Sequence, residues 1–192
     1  MSWPEAKTAA RYELLRDIMA FSNTMDGGTM IFGIQDATHE LLGLDEEEVK
    51  SFDKSSIYEA LSAYASPVPQ FEVERCPIDG ISYVAIVVRE FEEVPTVCKK
   101  EARATKGEAR PNEKPLLRKA AVYIRTEGAQ TIEIDREELM RDLLNLATRR
   151  KGDHLLRQIL DLIPMAFRQP SPPPVSPYQE EIAAAKKDLA GG

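Results

Sequence analysis

Ala20-Phe21-Ser22-Asn23-Thr24-Met25-Asp26-Gly27-Gly28-Thr29-Met30-Ile31-Phe32-Gly33-Ile34-Gln35-Asp36 reads as a helix end, a glycine turn and a buried strand. Upstream, Leu14, Ile18 and Ser22 recur at helical spacing with Leu15 and Met19 beside them, which predicts a helix over Tyr12 to Phe21. Asn23-Thr24 and Asp26-Gly27-Gly28 supply the stop and the turn, because Asn and Gly tolerate the left-handed backbone that ends a helix. Thr29 to Ile34 follows as a short apolar run of strand formers. Gly33 inside it lets another backbone or a ligand come close. Asp36 then places a carboxylate at the C-terminal end of that strand.

The flanks supply the remaining elements. The acidic patch Asp45-Glu46-Glu47-Glu48 fits a helix N-terminus or a solvated loop. Ile57, Leu61 and Tyr64 share one face of a helix that stops at Ser66-Pro67. Phe71 to Glu74 alternates apolar and charged residues, Asp79-Gly80 is a hairpin signal, and Ile81 to Val88 is apolar on both faces, as a central strand requires. Val94 to Cys98 reads as a short strand. Residues 101–116, with Gly107, Pro111 and Pro115 among charges and no periodicity, read as a long loop. Ala121 to Arg125 is strand-like, with Tyr123 and Arg125 on one side and Val122 and Ile124 on the other.

Next, Asp135 with Glu138 three residues on predicts a helix start, lined by Leu139, Leu143 and Leu146. Arg149-Arg150-Lys151-Gly152 is expected to close it, cations standing where the helix dipole favours them. Leu155, Ile159, Leu162 and Ile163 predict a second amphipathic helix, Pro170 to Pro177 an extended spacer, and Tyr178 to Leu189 a last polar helix. The expected fold class is therefore α+β, a mixed sheet flanked by helices over residues 1–148. Residues 149–192 form a helical, proline-rich extension suited to docking or to homo-oligomer formation through its helices.

Length and charge narrow the function. A chain of 192 residues is long enough for a real core. It has no run long enough to span a membrane and no charged-then-apolar leader, so the expectation is a cytoplasmic protein without a membrane partner. Cys76 and Cys98 are too few for a disulfide framework and are not spaced as metal ligands. Net charge is −7, yet between Lys99 and Arg125 nine basic residues face three acidic ones. That local +6 leaves −13 for the remainder. The segment reads either as a localised phosphate-binding face, with Lys99, Lys100, Arg103, Arg118, Lys119 and Arg125 as candidates, or as a solvated loop.

The ordered set Ala20-Phe21-Ser22-Asn23-Thr24, Gly27-Gly28-Thr29, Gly33-Ile34-Gln35-Asp36 and Leu42-Gly43-Leu44 resembles the AlbA-type DNA-binding domain of Schlafen-like proteins, with one extra residue before the glycine pair. Pro95 to Lys100 and Leu117 to Thr126 resemble later strands of that family, and the likeness covers roughly residues 5–135. It implies nucleic-acid binding, DNA or RNA, within a transcriptional regulator or defence-type protein. Schlafen-like ribonucleases carry two glutamates in an opening motif and an aspartate after the glycine turn. Glu5 matches the second glutamate and Asp36 the aspartate, while the first glutamate has no counterpart among Met1-Ser2-Trp3-Pro4: either the chain starts inside the motif or this member lost its first carboxylate.

Two carboxylates meeting at a sheet end suit Mg²⁺ or Mn²⁺, which would polarise a phosphodiester and activate water. The bottom-up alternatives stay open: Glu5 and Lys7 as an exposed first turn, Asp36 as a turn residue. Gly27 and Gly28 read as plain turn geometry or as an N–H nest for phosphate; no Gly-Lys-Ser/Thr follows, so there is no P-loop. His39 and His154 belong to no metal or catalytic motif. Trp3 and Tyr123 could stack on bases, though packing is the commoner fate of either ring. The leading expectation is a nucleic-acid-binding domain without catalysis. A metal-dependent endoribonuclease using Glu5 and Asp36 is the alternative, and a nucleotide or protein-interaction module the third reading.

Overall fold

A computed structural model describes residues 2–4, 8–35, 38–103 and 115–166. The expected proline-rich spacer and last helix, and most of the expected 101–116 loop, lie outside the described residues. Two compact units divide the chain, Met1–Gly152 and Asp153–Gly192.

Helix α1 (Ala9–Ser22) opens the first unit, its Thr8 cap accepting from the N–H of Arg11. It buries Tyr12, Leu15, Ile18, Met19 and Ala20. After a turn in which Asp26 and Gly27 take φ of 64° and 71°, strand β1 (Gly28–Phe32) runs antiparallel to a later strand. It stops two residues short of the predicted Ile34, because Gly33 turns away at φ 103°. Helix α2 (Glu46–Ser51) uses the acidic patch as a reciprocal capping box between Asp45 and Glu48. Helix α3 (Lys54–Tyr64) is capped by Asp53 and buries Ile57, Ala60 and Leu61.

Strands β2 (Ala65–Ser66), β3 (Phe71–Ile78), β4 (Ile81–Val88) and β5 (Val97–Cys98) follow. Asp79 and Gly80 both have positive φ, 51° and 81°, the twist a two-residue hairpin loop needs. The main sheet has the order β1-β4-β3, so the doubly apolar strand is central as its sequence requires. β2 pairs with β5 in a separate ladder. Strand β6 (Tyr123–Arg125) pairs with β7 (Thr131–Glu133), which sequence periodicity missed: three residues are too few to show alternation. The described ladders are antiparallel. One core joins α1, α3 and the inner sheet residues Phe32, Phe71, Val84, Ile86 and Val88. The fold is thus α+β, with a C-terminal helix.

That helix, α4 (Glu137–Ala166), corrects the expected two-helix reading. It starts at Glu137 rather than directly after Asp135, and it does not close at Gly152. A glycine inside a helix costs only about 1 kcal/mol, and nothing stands within 4 Å of a Cβ placed on Gly152. The basic run before it is no terminal cap; Arg150 instead reaches the buried Glu90. No helix among the described residues is long and apolar enough to cross a membrane.

Candidate nucleic-acid interface

Asn23 anchors the region. Its backbone is not left-handed, as the sequence suggested, but at φ −92°. Its value lies in the side chain, which is 3 % exposed. Nδ2 donates to the carbonyls of Thr96 (2.8 Å) and Tyr123 (2.9 Å), and Oδ1 accepts from the N–H of Thr96 (2.7 Å). Thr24 Oγ1 donates to the Ala20 carbonyl and accepts from the N–H of Arg125 (3.2 Å). The end of α1 is thereby tied to the segment entering β5 and to β6. Gly27 and Gly28 are held by close packing: a Cβ would stand 2.1 Å from the Val88 carbonyl oxygen at Gly27 and 1.9 Å from the Phe21 ring at Gly28. Only Gly27 of the two has positive φ. Glu90 Oε2 accepts from the N–H of Asp26 at 2.8 Å, so the turn is braced by a carboxylate. Burial pushes Glu90 upward, but hydrogen bonds from Arg150 and Asp26 outweigh it and hold the carboxyl below its usual range.

Downstream of β5 the chain forms a narrow ribbon. Ala102 and Leu117 exchange N–H···O bonds of 2.9 and 3.2 Å, which brings the stretch Lys99–Arg103 alongside Arg118 and Lys119. Residues 104–114, with Lys106, Arg110 and Lys114, lie outside the described residues. Lys99 donates to the Ser62 carbonyl at the end of α3. Lys100 Nζ sits 4.5 Å from the centre of the Tyr64 ring. Tyr64 in turn donates to Tyr12 on α1 at 3.4 Å, and burial together with that contact pushes its phenol up to about 12. Arg103 pairs with Glu101 at 2.7 Å, and Arg118 pairs with Glu133. Lys119 is exposed.

Arg125 stands apart from these five. Its guanidinium donates to Thr131 Oγ1 (3.0 Å), lies 3.6 Å from Asp17 and packs 4.9 Å from the Phe21 ring. Phe21 is nine residues along α1 from Tyr12, about 13 Å by helical rise, so Arg125 serves the opposite end of the helix. Trp3 and Tyr123 are core rings. Trp3 packs on Phe52 with Arg11 5.3 Å from its centre, and the Tyr123 hydroxyl accepts from the N–H of Arg118 at 2.7 Å.

The catalytic candidates Glu5 and Asp36, and Lys7, lie outside the described residues. Among the described residues no group of three or more His, Cys, Asp or Glu could hold a metal. Both cysteines are free, and burial pushes the Cys98 thiol up. His154 shares a hydrogen bond with Gln158.

Arg11 and Arg16, on α1, lie outside the basic segment that the sequence singles out. Arg16 shares a helix face with Tyr12, four residues before it.

A family model described as Schlafen, AlbA_2 matches residues 2–133. No curated protein matches the chain. Among solved structures, the crystal structure of the DIP2311 protein from Corynebacterium diphtheriae is similar at 20 % identity and a TM-score of 0.42, over 72 % of this chain and 22 % of that one. The chain thus spans about a fifth of the length of that protein.

Proposed function

This chain belongs to the Schlafen AlbA_2 family, and from that premise we propose that it binds nucleic acid through the phosphate backbone. The observation that supports this most is the Ala102–Leu117 pairing, which gathers Lys99, Lys100, Arg103, Arg118 and Lys119 on one ribbon although twenty positions separate the first from the last. Phosphate contacts of this kind fix position without reading sequence. Arg125 belongs instead to the internal contact between α1 and the β6–β7 hairpin. Residues 1–148 carry the binding domain in this reading. The exposed Leu155, Leu156, Ile159 and Leu160 support pairing of the extension with a second copy.

The test is salt-dependent binding to a labelled DNA duplex. Each phosphate contact adds about −0.9 to the slope of log K against log salt on B-DNA. Changing both Lys99 and Lys100 to Ala is expected to flatten that slope by up to about two. An unchanged slope, or a parent that binds nothing at low salt, refutes the assignment.

A further inference from the structure

Arg16 is the half-buried cation that the fold leaves unanswered. Four basic side chains among the described residues are half-buried: Arg11, Arg16, Arg125 and Arg150. Arg11 donates to the Pro4 carbonyl, Arg125 to Thr131, and Arg150 to Glu90. Arg16 makes no hydrogen bond or ion pair among the described residues, and its Nε is buried without an acceptor. A guanidinium nitrogen withdrawn from water without an acceptor is costly, and such a group calls for an explanation beyond stability.

Its surroundings supply one. Arg16 lies one helical turn after Tyr12, on the face where Tyr12 meets Tyr64 and Lys100 covers the Tyr64 ring. Helix α1 also packs on β6, whose Tyr123 hydroxyl is held by the N–H of Arg118. Burial is the main cause that pushes the Tyr123 phenol up, with Cys98 and Glu133 adding to it, while the Arg118 N–H and, least of all, the charge of Arg16 oppose it. Glu133, a carboxylate on this hairpin, pairs with Arg118. Arg16 therefore lies one helical turn from the Tyr12–Tyr64 contact that Lys100 covers, with no ion pair among the described residues.

We infer that Arg16 is a phosphate-binding residue of the interface, its planar fork preformed on a rigid helix to take a backbone phosphate between the Lys100 and Arg118 sides of the ribbon. This rests on the nucleic-acid reading above. A guanidinium can grip two phosphate oxygens at once, which an ammonium cannot. Holding it half-buried and unpaired in the free protein trades stability for a site that needs no rearrangement on binding.

The experiment measures salt-dependent duplex binding and melting temperature for the parent, Arg16→Met and Arg16→Lys, with melts repeated in inorganic phosphate. Expected for Arg16→Met is a slope flatter by about one and affinity about tenfold weaker, with a melting temperature equal to or above that of the parent. Arg16→Lys should keep the slope yet bind more weakly. Parent-like slope and affinity in Arg16→Met overturn the inference and leave the interface standing. If Arg16→Met melts lower, Arg16→Lys decides: unchanged affinity in that variant overturns the inference, and weaker binding at unchanged melting supports it. A parent that binds no duplex overturns both readings. If phosphate then stabilises the parent but not Arg16→Met, the site serves a free anion instead.

Discussion

Replacing Asn23 by Asp probes the joint on which the region hangs, because it alters hydrogen-bonding capacity with almost no change of shape. The side chain is 3 % exposed and makes three hydrogen bonds, of which two use Nδ2 as donor. A carboxylate keeps the bond from the Thr96 N–H but turns acceptors toward the carbonyls of Thr96 and Tyr123, which stand 2.8 and 2.9 Å from Nδ2. Each buried acceptor left unsatisfied costs about 1–3 kcal/mol, more beside a charge. The expected loss is about 3–5 kcal/mol at pH 7, or roughly 10 °C in melting temperature at about 2–4 °C per kcal/mol for a unit of this size. Burial against two carbonyls raises the folded-state pKa of the introduced carboxyl above its unfolded value near ~3.9. The penalty is therefore complete above the folded pKa and shrinks as pH falls toward the unfolded one, where a protonated carboxyl donates again. Urea or thermal unfolding of both proteins between pH 4 and 7 measures it. An Asn23→Asp protein within about 1 kcal/mol of the parent at pH 7, or a gap that widens on acidification, refutes the donor role.

Gly27→Ala and Gly28→Ala should each lower stability by more than about 1 kcal/mol, the first through positive φ and the Val88 carbonyl, the second through the Phe21 ring; thermal melts decide, and a parent-like melt at either refutes its part. Glu90→Gln should destabilise by about 1–3 kcal/mol, because it removes the charge that Arg150 and the Asp26 N–H bind. Because the Glu90 carboxyl is held low, its contribution is present above the unfolded pKa near ~4.3 and is lost as pH falls through the lowered value. The melting temperature of the parent should therefore drop more steeply on acidification than that of Glu90→Gln.

Local stereochemistry was legible in the sequence. The Asp79-Gly80 turn, the Asp45–Glu48 cap, the buried face of α1 and the central placing of β4 each depend on residues close in the chain, or on one apolar run buried on both sides. The family signature was legible for a related reason: α1, the glycine turn and β1 are contiguous. What remained hidden depends on partners far along the chain. Asn23 reads as a helix stop until Thr96 and Tyr123, 73 and 100 residues away, claim its amide. Arg150 reads as a helix end until Glu90 meets it.

The candidate interface divides in the same way. Charge counting found Lys99, Lys100, Arg103, Arg118, Lys119 and Arg125, since a local excess of cations is a property of sequence. Only tertiary structure shows that Arg125 meets Asp17 and Thr131 across α1, while Arg103 and Arg118 pair with Glu101 and Glu133. Arg16 carried no signal of its own in the sequence, and what marks it is an Nε buried without an acceptor among the described residues. Sequence sets which charges a chain carries. Which of them remain unneutralised is decided by long-range packing, because ion pairing acts over a few ångströms in space whatever the separation along the chain.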